Sequence, residues 1–203
     1  MTEKEVLDIL AKFLMKRQTA EALALAYKEI GLQLLSELKG TLPNLDEETW
    51  LTLQMINDTK SRLCFYNGLN QIESSDADAS TDYILGYLNI CEFLEKILIF
   101  LYQRYESLNF SDDLAKSWPK EVIPELLEAI KNKRVAYLDQ LGKEGRIQLN
   151  IAEPRTLDGI CNTAYNAILG EAWPDFMAKF NQANAILRKY QGEIQLPQQD
   201  NVQ

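Results

Sequence analysis

Residues 82–108, DYILGYLNICEFLEKILIFLYQRYESL, decide the fold class of this chain. Apolar residues recur there as Tyr83, Ile84, Leu88, Cys91, Leu94, Leu98, Leu101 and Tyr105, and no proline interrupts them. A strand would alternate with period two, whereas spacings of three and four wrap the apolar groups around most of a helix. A helix that is apolar on most sides belongs inside a bundle. The segment predicts a central buried helix, capped by Ser80 or Thr81, whose side chains are the preferred caps. Its polar stripe is Asp82, Gly86, Asn89, Glu92, Lys96 and Gln103, with Glu95 off that stripe beside Cys91, Ile99 and Tyr102.

Helical periodicity continues on both sides. Upstream, residues 3–16 set Val6, Ile9, Leu10, Phe13 and Leu14 on one face, and residues 19–38 repeat Leu23, Tyr27, Ile30, Leu34 and Leu38 before Gly40. Pro43-Asn44 makes a turn, and Asp46-Glu47-Glu48 opens a third helix with carboxylates at its positive dipole end. That helix runs to about Gln71, and SSDADAST reads as a loop. Downstream come a short turn at 111–117, a helix with its body at 125–141, a helix at 157–169 capped by Thr156 and stopped by Gly170, and one at 174–192. Arg146–Ile151 and Glu193–Leu196 alternate with period two after Gly145 and Gly192, so extended loop or a minimal two-stranded β-ribbon is expected there.

The expectation is therefore all-α: an irregular bundle of about six or seven helices around one apolar helix. Residues 1–192 form a single helical domain and 193–203 a flexible polar tail. A chain of 203 residues fits one domain, and 46% hydrophobic with 25% charged residues describes a chain able to build a core.

Composition narrows the chemistry. Net charge is −9, so nucleic acid and anionic lipid surfaces are not the expected partners. The most apolar run, Ile97–Tyr102, is too short to span a bilayer, and the N-terminal residues lack a signal-peptide pattern. Three widely spaced cysteines, Cys64, Cys91 and Cys161, read as free thiols of a reducing compartment, so the cytoplasm is the expected location. Histidine is absent altogether, which excludes Ser-His-Asp and Cys-His sites and His-containing metal centres. No phosphate-cradling GxxxxGK[ST] or GxGxxG loop occurs either.

Several acidic motifs invite a metal. Ser111-Asp112-Asp113-Leu114-Ala115-Lys116 begins as the aspartate-rich magnesium-diphosphate motif of isoprenoid synthases does, but Lys116 stands where that motif has an acid. Glu92/Glu95 and Glu125/Glu128 are ExxE pairs similar to those of all-α nucleotide pyrophosphohydrolases, without the downstream acidic pair. Asp76–Asp82 opens as a calcium loop, yet Thr81 and Tyr87 occupy the positions that require Gly and Glu. No metal or cofactor is expected.

The third helix carries a subtler pattern. Asp58 and Arg62 share a sector with Leu51, Met55, Phe65 and Leu69, while Asn57 and Lys60 interrupt the opposite stripe of Trp50, Leu53, Ile56 and Cys64. Inward charges need partners, so Asp58 is expected to pair with Arg62 and Glu95 to be satisfied locally. Candidate binding residues are Asp58, Arg62, Glu95 and Tyr102, either lining a polar pocket between the third and fourth helices or sealed as a structural network. The expected function is a non-catalytic helical binding or regulatory protein acting through protein–protein contacts, with a homo-oligomer as one form of partner. The alternatives are a carboxylate- and magnesium-dependent enzyme acting on a phosphorylated or isoprenoid substrate, and a carrier of an apolar ligand.

Overall fold

The periodic segments become seven α-helices among the residues described by the computed structural model, which are 1–14, 19–42, 45–72, 77–108, 110, 120–141 and 152–194. They are α1 (Glu3–Leu14), α2 (Thr19–Lys39), α3 (Glu47–Ile72), α4 (Ala77–Arg104), α5 (Val122–Leu141), α6 (Ala152–Leu169) and α7 (Trp173–Ile194). Among these residues there is no strand.

Local chemistry explains several boundaries. Thr2 and Glu5 form a reciprocal capping box at α1, with Glu5 N donating to Thr2 Oγ1 at 3.3 Å and Thr2 N to Glu5 Oε2 at 2.6 Å. Asp46 caps α3: its Oδ1 accepts from Thr49 N at 2.8 Å and from Thr49 Oγ1 at 2.7 Å. Its Oδ2 accepts from Arg104 at 2.6 Å, tying the start of α3 to the end of α4. Gly170 ends α6 with φ 53, a left-handed conformation that favours glycine.

The Arg104 and Thr49 hydrogen bonds hold the Asp46 carboxyl down at about 2, below its ordinary 3.8. Because the folded value is the lower one, this contribution is fully present above about 4 and is lost as pH falls toward 2. Asp46→Ala should accordingly lower the melting temperature at pH 6, with the difference from the parent chain shrinking toward pH 2.

Three expected boundaries are corrected. Helix α4 starts at Ala77, so Ser80 and Thr81 lie within it and do not cap it. Helix α6 starts at Ala152, placing Thr156 inside, while Pro154 sits in the first turn, where its missing N–H breaks no helical bond. Helix α7 passes through Gly192, so Glu193 and Ile194 are helical and not the start of a ribbon strand. A single glycine costs a helix only about 1 kcal/mol, too little to end one already docked. The remaining ribbon residues, the turns at 43–44 and 111–117 and the tail from 195 lie outside the described residues.

Helices α1 to α5 pack in chain order, each against the next, and so make one layer. A second layer holds two helices: α6 rests on α3 and α4, and α7 on α1 and α2. Helix α4 occupies the expected interior place, between α3 and α5 and beneath α6, with Tyr87, Ile90, Leu94, Ile97 and Leu101 buried. An aromatic chain ties the layers together, from Tyr27 of α2 to Phe180 at 4.6 Å, then Phe176 at 5.7 Å, then Tyr165 of α6 at 5.2 Å.

The other interior helix, α3, is packed through polar groups. Thr49, Thr52, Asn57, Thr59, Lys60 and Ser61 are all buried. Thr52 and Thr59 satisfy their hydroxyls on their own helix, bonding the carbonyls of Glu48 and Met55 four residues back. Two others reach α2: Ser61 Oγ donates to the Ala24 carbonyl at 2.7 Å and Asn57 Nδ2 to the Lys28 carbonyl at 2.8 Å. Close approach is what makes these bonds reachable, and Gly31 of α2 allows it, since a Cβ there would overlap the Asn57 side-chain oxygen. Lys60 faces α6, donating to Asp158 Oδ1 at 2.7 Å and Asn162 Oδ1 at 2.6 Å with its ammonium 5.9 Å from the Phe180 ring centre.

Two buried oxygens are left over among the described residues, Asn57 Oδ1 and the Tyr165 hydroxyl. The Tyr165 hydroxyl is fully enclosed, with no hydrogen-bond partner among the described residues. An enclosed, unbonded hydroxyl carries its desolvation cost with nothing in return. Tyr165→Phe should therefore raise stability by about 1 kcal/mol, read as a higher urea midpoint with an unchanged slope.

Candidate functional site: the uncovered face of the helical layer

The second layer covers only one side of the first. On the opposite side of α3, α4 and α5 no other helix packs among the described residues. Helix α4 shows the division well. Ile90, Leu94, Ile97 and Leu101 point toward α6, Phe93 lies toward α3, and Glu95 and Tyr102 lie toward α5; between these flanks runs an outward strip of Leu85, Asn89, Glu92, Lys96, Ile99 and Gln103, polar except at Leu85 and Ile99. Leu85 is 52% and Ile99 41% exposed, large apolar side chains left in water. On α3 the same face shows Leu51, at 57% exposure, with Asp58 and Arg62.

The expected Asp58–Arg62 pair forms, with Arg62 Nε 2.8 Å from Asp58 Oδ2. Its setting differs from the expectation. The stripe that includes Leu51 faces outward, and the stripe with Asn57 and Lys60 faces the core. Asp58 and Arg62 are half-buried at the rim of the open face, and Asp58 also accepts from Lys28 of α2. Burial by itself would raise the Asp58 carboxyl, but the hydrogen bonds from Lys28 and Arg62 hold it below its usual value.

The second cation changes the mutational expectation. Arg62→Ala leaves Lys28 on the carboxylate, so it should cost about 1 kcal/mol or less, as exposed pairs do, in a denaturant titration. A loss of about 3 kcal/mol or more would show a sealed pair.

Arg62 extends over the ring of Phe93, its guanidinium 5.0 Å from the centroid, while the Lys96 ammonium stands 5.7 Å from the same ring. Lys96 also pairs with Glu92 at 3.1 Å, one helical turn back. On the other flank Glu95 accepts from Arg134 of α5 at 2.7 Å, and Tyr102 packs under the Lys120 ammonium at 5.3 Å. The four expected binding residues thus do not meet in one pocket. Asp58 and Arg62 lie at the α3–α4 seam, Glu95 and Tyr102 at the α4–α5 seam, and together they frame one surface.

Sequence reasoning missed Lys28, Phe93, Lys96 and Leu85 as members of this surface. It also placed Gly86 on the polar stripe, whereas Gly86 is buried under the Tyr66 ring, where a Cβ would overlap the phenol. The signal available was the run of Leu85, Glu92, Lys96 and Ile99 at helical spacing on one side of an otherwise apolar helix.

Of the acids that a magnesium enzyme would use, Glu92 is engaged by Lys96 and Glu95 by Arg134, while Asp112 lies outside the described residues. Among the described residues no three acidic or cysteine side chains converge as metal ligands. Burial pushes the Cys64 thiol up to about 11 and the Cys161 thiol to about 12, away from the thiolate form a nucleophile needs. No described helix is long and apolar enough to cross a membrane. No protein family, curated protein or solved structure matches this chain.

Proposed function

We propose that this chain is a non-catalytic helical binding protein that engages another protein through the uncovered face of α3, α4 and α5. The observation that carries the reading is the concentration of exposed Leu51, Leu85 and Ile99 on the one side of the layer that α6 and α7 leave bare. Large apolar side chains left exposed at the two ends of a bare helical face, with a polar centre between them, suit an interaction surface. Arg62 stacked on Phe93 adds the residue types that anchor protein interfaces.

Aspartate substitutions test it. Leu51→Asp, Leu85→Asp and Ile99→Asp change exposed positions, so folding should be altered by about 0.5 kcal/mol or less. Each should deplete the same proteins from material that co-purifies with the chain, while Leu14→Asp on α1 leaves them in place. An unchanged set of co-purifying proteins in all three variants would remove the proposal.

A further inference from the structure

We infer that the occupant of this face is an amphipathic helix of a partner protein, lying along α4, with one acidic side chain at its middle and an apolar side chain about two turns to either side. The inference rests on the reading of this face as the binding surface, and it adds the chemistry of the partner.

The lengths come first. Leu85 and Ile99 are separated by 14 residues of one helix, so their side chains stand about 21 Å apart at 1.5 Å per residue. A guest helix aligned with α4 would meet them with apolar residues at i and i+14, which fall on one side of a helix. Residue i+7 of the guest would then lie over the middle of the strip, at Glu92, Phe93 and Lys96.

Charge at that midpoint selects the guest's central residue. Lys28, Arg62 and Lys96 outnumber the two carboxylates they hold, Asp58 and Glu92, in a chain whose net charge is −9. Both central cations have capacity to spare. Arg62 commits its Nε to Asp58, and a guanidinium has four further N–H donors. The Lys96–Glu92 pair is exposed on both sides, so exchanging it for a better-shielded carboxylate is a small loss. The Phe93 ring between the two cations keeps water from one side of the contact, which strengthens it.

The same charges disfavour a second copy as the occupant. A two-fold axis through this strip would bring Arg62 and Lys96 against their own images, within two molecules that already repel. A helix, in contrast, matches the single-helix width of a strip bounded by the Asp58–Arg62 and Glu95–Arg134 pairs.

The probe is a displayed library of random 18-residue helical peptides, selected against the purified full chain, with affinities then measured by fluorescence anisotropy. The expected winners carry Asp or Glu seven residues from an apolar residue on each side. The paired substitution Arg62→Glu with Lys96→Glu should weaken them at least tenfold, and a peptide with Lys at its centre should regain binding to that variant. Arg62→Gln with Lys96→Gln, which introduces no new repulsion with Asp58, should weaken them about fivefold. Binding abolished by Ile99→Asp but indifferent to both charge variants would overturn the acid-centred helix while leaving the face as a binding surface. Binding indifferent to Ile99→Asp as well would overturn both. Sedimentation as a dimer that Ile99→Asp dissociates would overturn the inference by placing a second copy there.

Discussion

Asp158→Ala should destabilise the chain by about 3 kcal/mol, several times the cost of Lys60→Met, although Lys60 is the buried member of the pair. The Asp158 side chain is 45% exposed and that of Lys60 only 3%. Deleting the carboxylate leaves an ammonium enclosed between α3, α6 and the Phe180 ring, with the Asn162 oxygen its one remaining hydrogen-bond acceptor among the described residues. Stranding a buried charge in this way costs about 3–5 kcal/mol, and the remaining hydrogen bond keeps the figure at the lower end. Methionine at position 60 instead removes the buried charge and leaves Asp158 in contact with water. Its cost should be about 1 kcal/mol, because replacing a buried ion by an apolar group of similar length is often neutral. Urea titrations of the two variants give the comparison. Equal losses would mean that the ammonium is not the group that needs shielding.

Gly31→Ala should lower stability by about 2 kcal/mol, against the helix-propensity gain of about 1 kcal/mol that alanine normally brings. A methyl group at position 31 overlaps the side-chain oxygen of Asn57, which is enclosed and pinned by its bond to the Lys28 carbonyl. Relief requires α2 and α3 to separate, which stretches that bond and the one from Ser61 to Ala24. Asn57→Ala removes the obstruction, so the double variant should cost less than the sum of the two single ones. Gly159→Ala supplies the opposite sign. Nothing lies within 4 Å of a Cβ there, and the substitution in mid-α6 should stabilise by about 0.5–1 kcal/mol. A loss at both glycines would attribute the Gly31 effect to something besides helix contact.

The all-α architecture was legible because apolar residues spaced three and four apart gather on one side of a helix and scatter over both faces of a strand. Helix α4 lies where its near-continuous apolar circumference puts it. Helix ends were less legible. Ser80, Thr81 and Thr156 are sound caps by residue type, but a cap is worth only about 1 kcal/mol, too little to fix by itself where a helix begins. The orientation of α3 could not be read from its wheel. Its two stripes, Leu51–Met55–Phe65 and Leu53–Ile56–Cys64, are equally apolar, and each carries charges. What decides between them is on neighbouring helices: Gly31 and Ala24 on α2, and Asp158 and Asn162 on α6, which together receive Asn57, Ser61 and Lys60. With that stripe turned inward, Asp58 and Arg62 have to face out. The charge pairs Asp58–Arg62 and Glu92–Lys96 were visible from their spacing of four, whereas Lys28–Asp58 and Glu95–Arg134 join different helices and leave no local trace.

The central claim, that the bare face of α3, α4 and α5 is covered by another protein where this chain works, has a direct readout in thiol labelling. Burial pushes the Cys64 and Cys161 thiols up to about 11 and about 12, and Cys91 is enclosed, so a cysteine introduced at an exposed position reacts first at neutral pH. Ile99→Cys reports on the face, and Leu14→Cys, exposed on α1 and outside that face, serves as the reference. In the purified chain both should react with maleimide at similar rates. In extract of cells expressing the chain at native level, position 99 should react at least fivefold more slowly than in the purified chain, with position 14 unchanged. Equal labelling of the two positions in extract would contradict the claim.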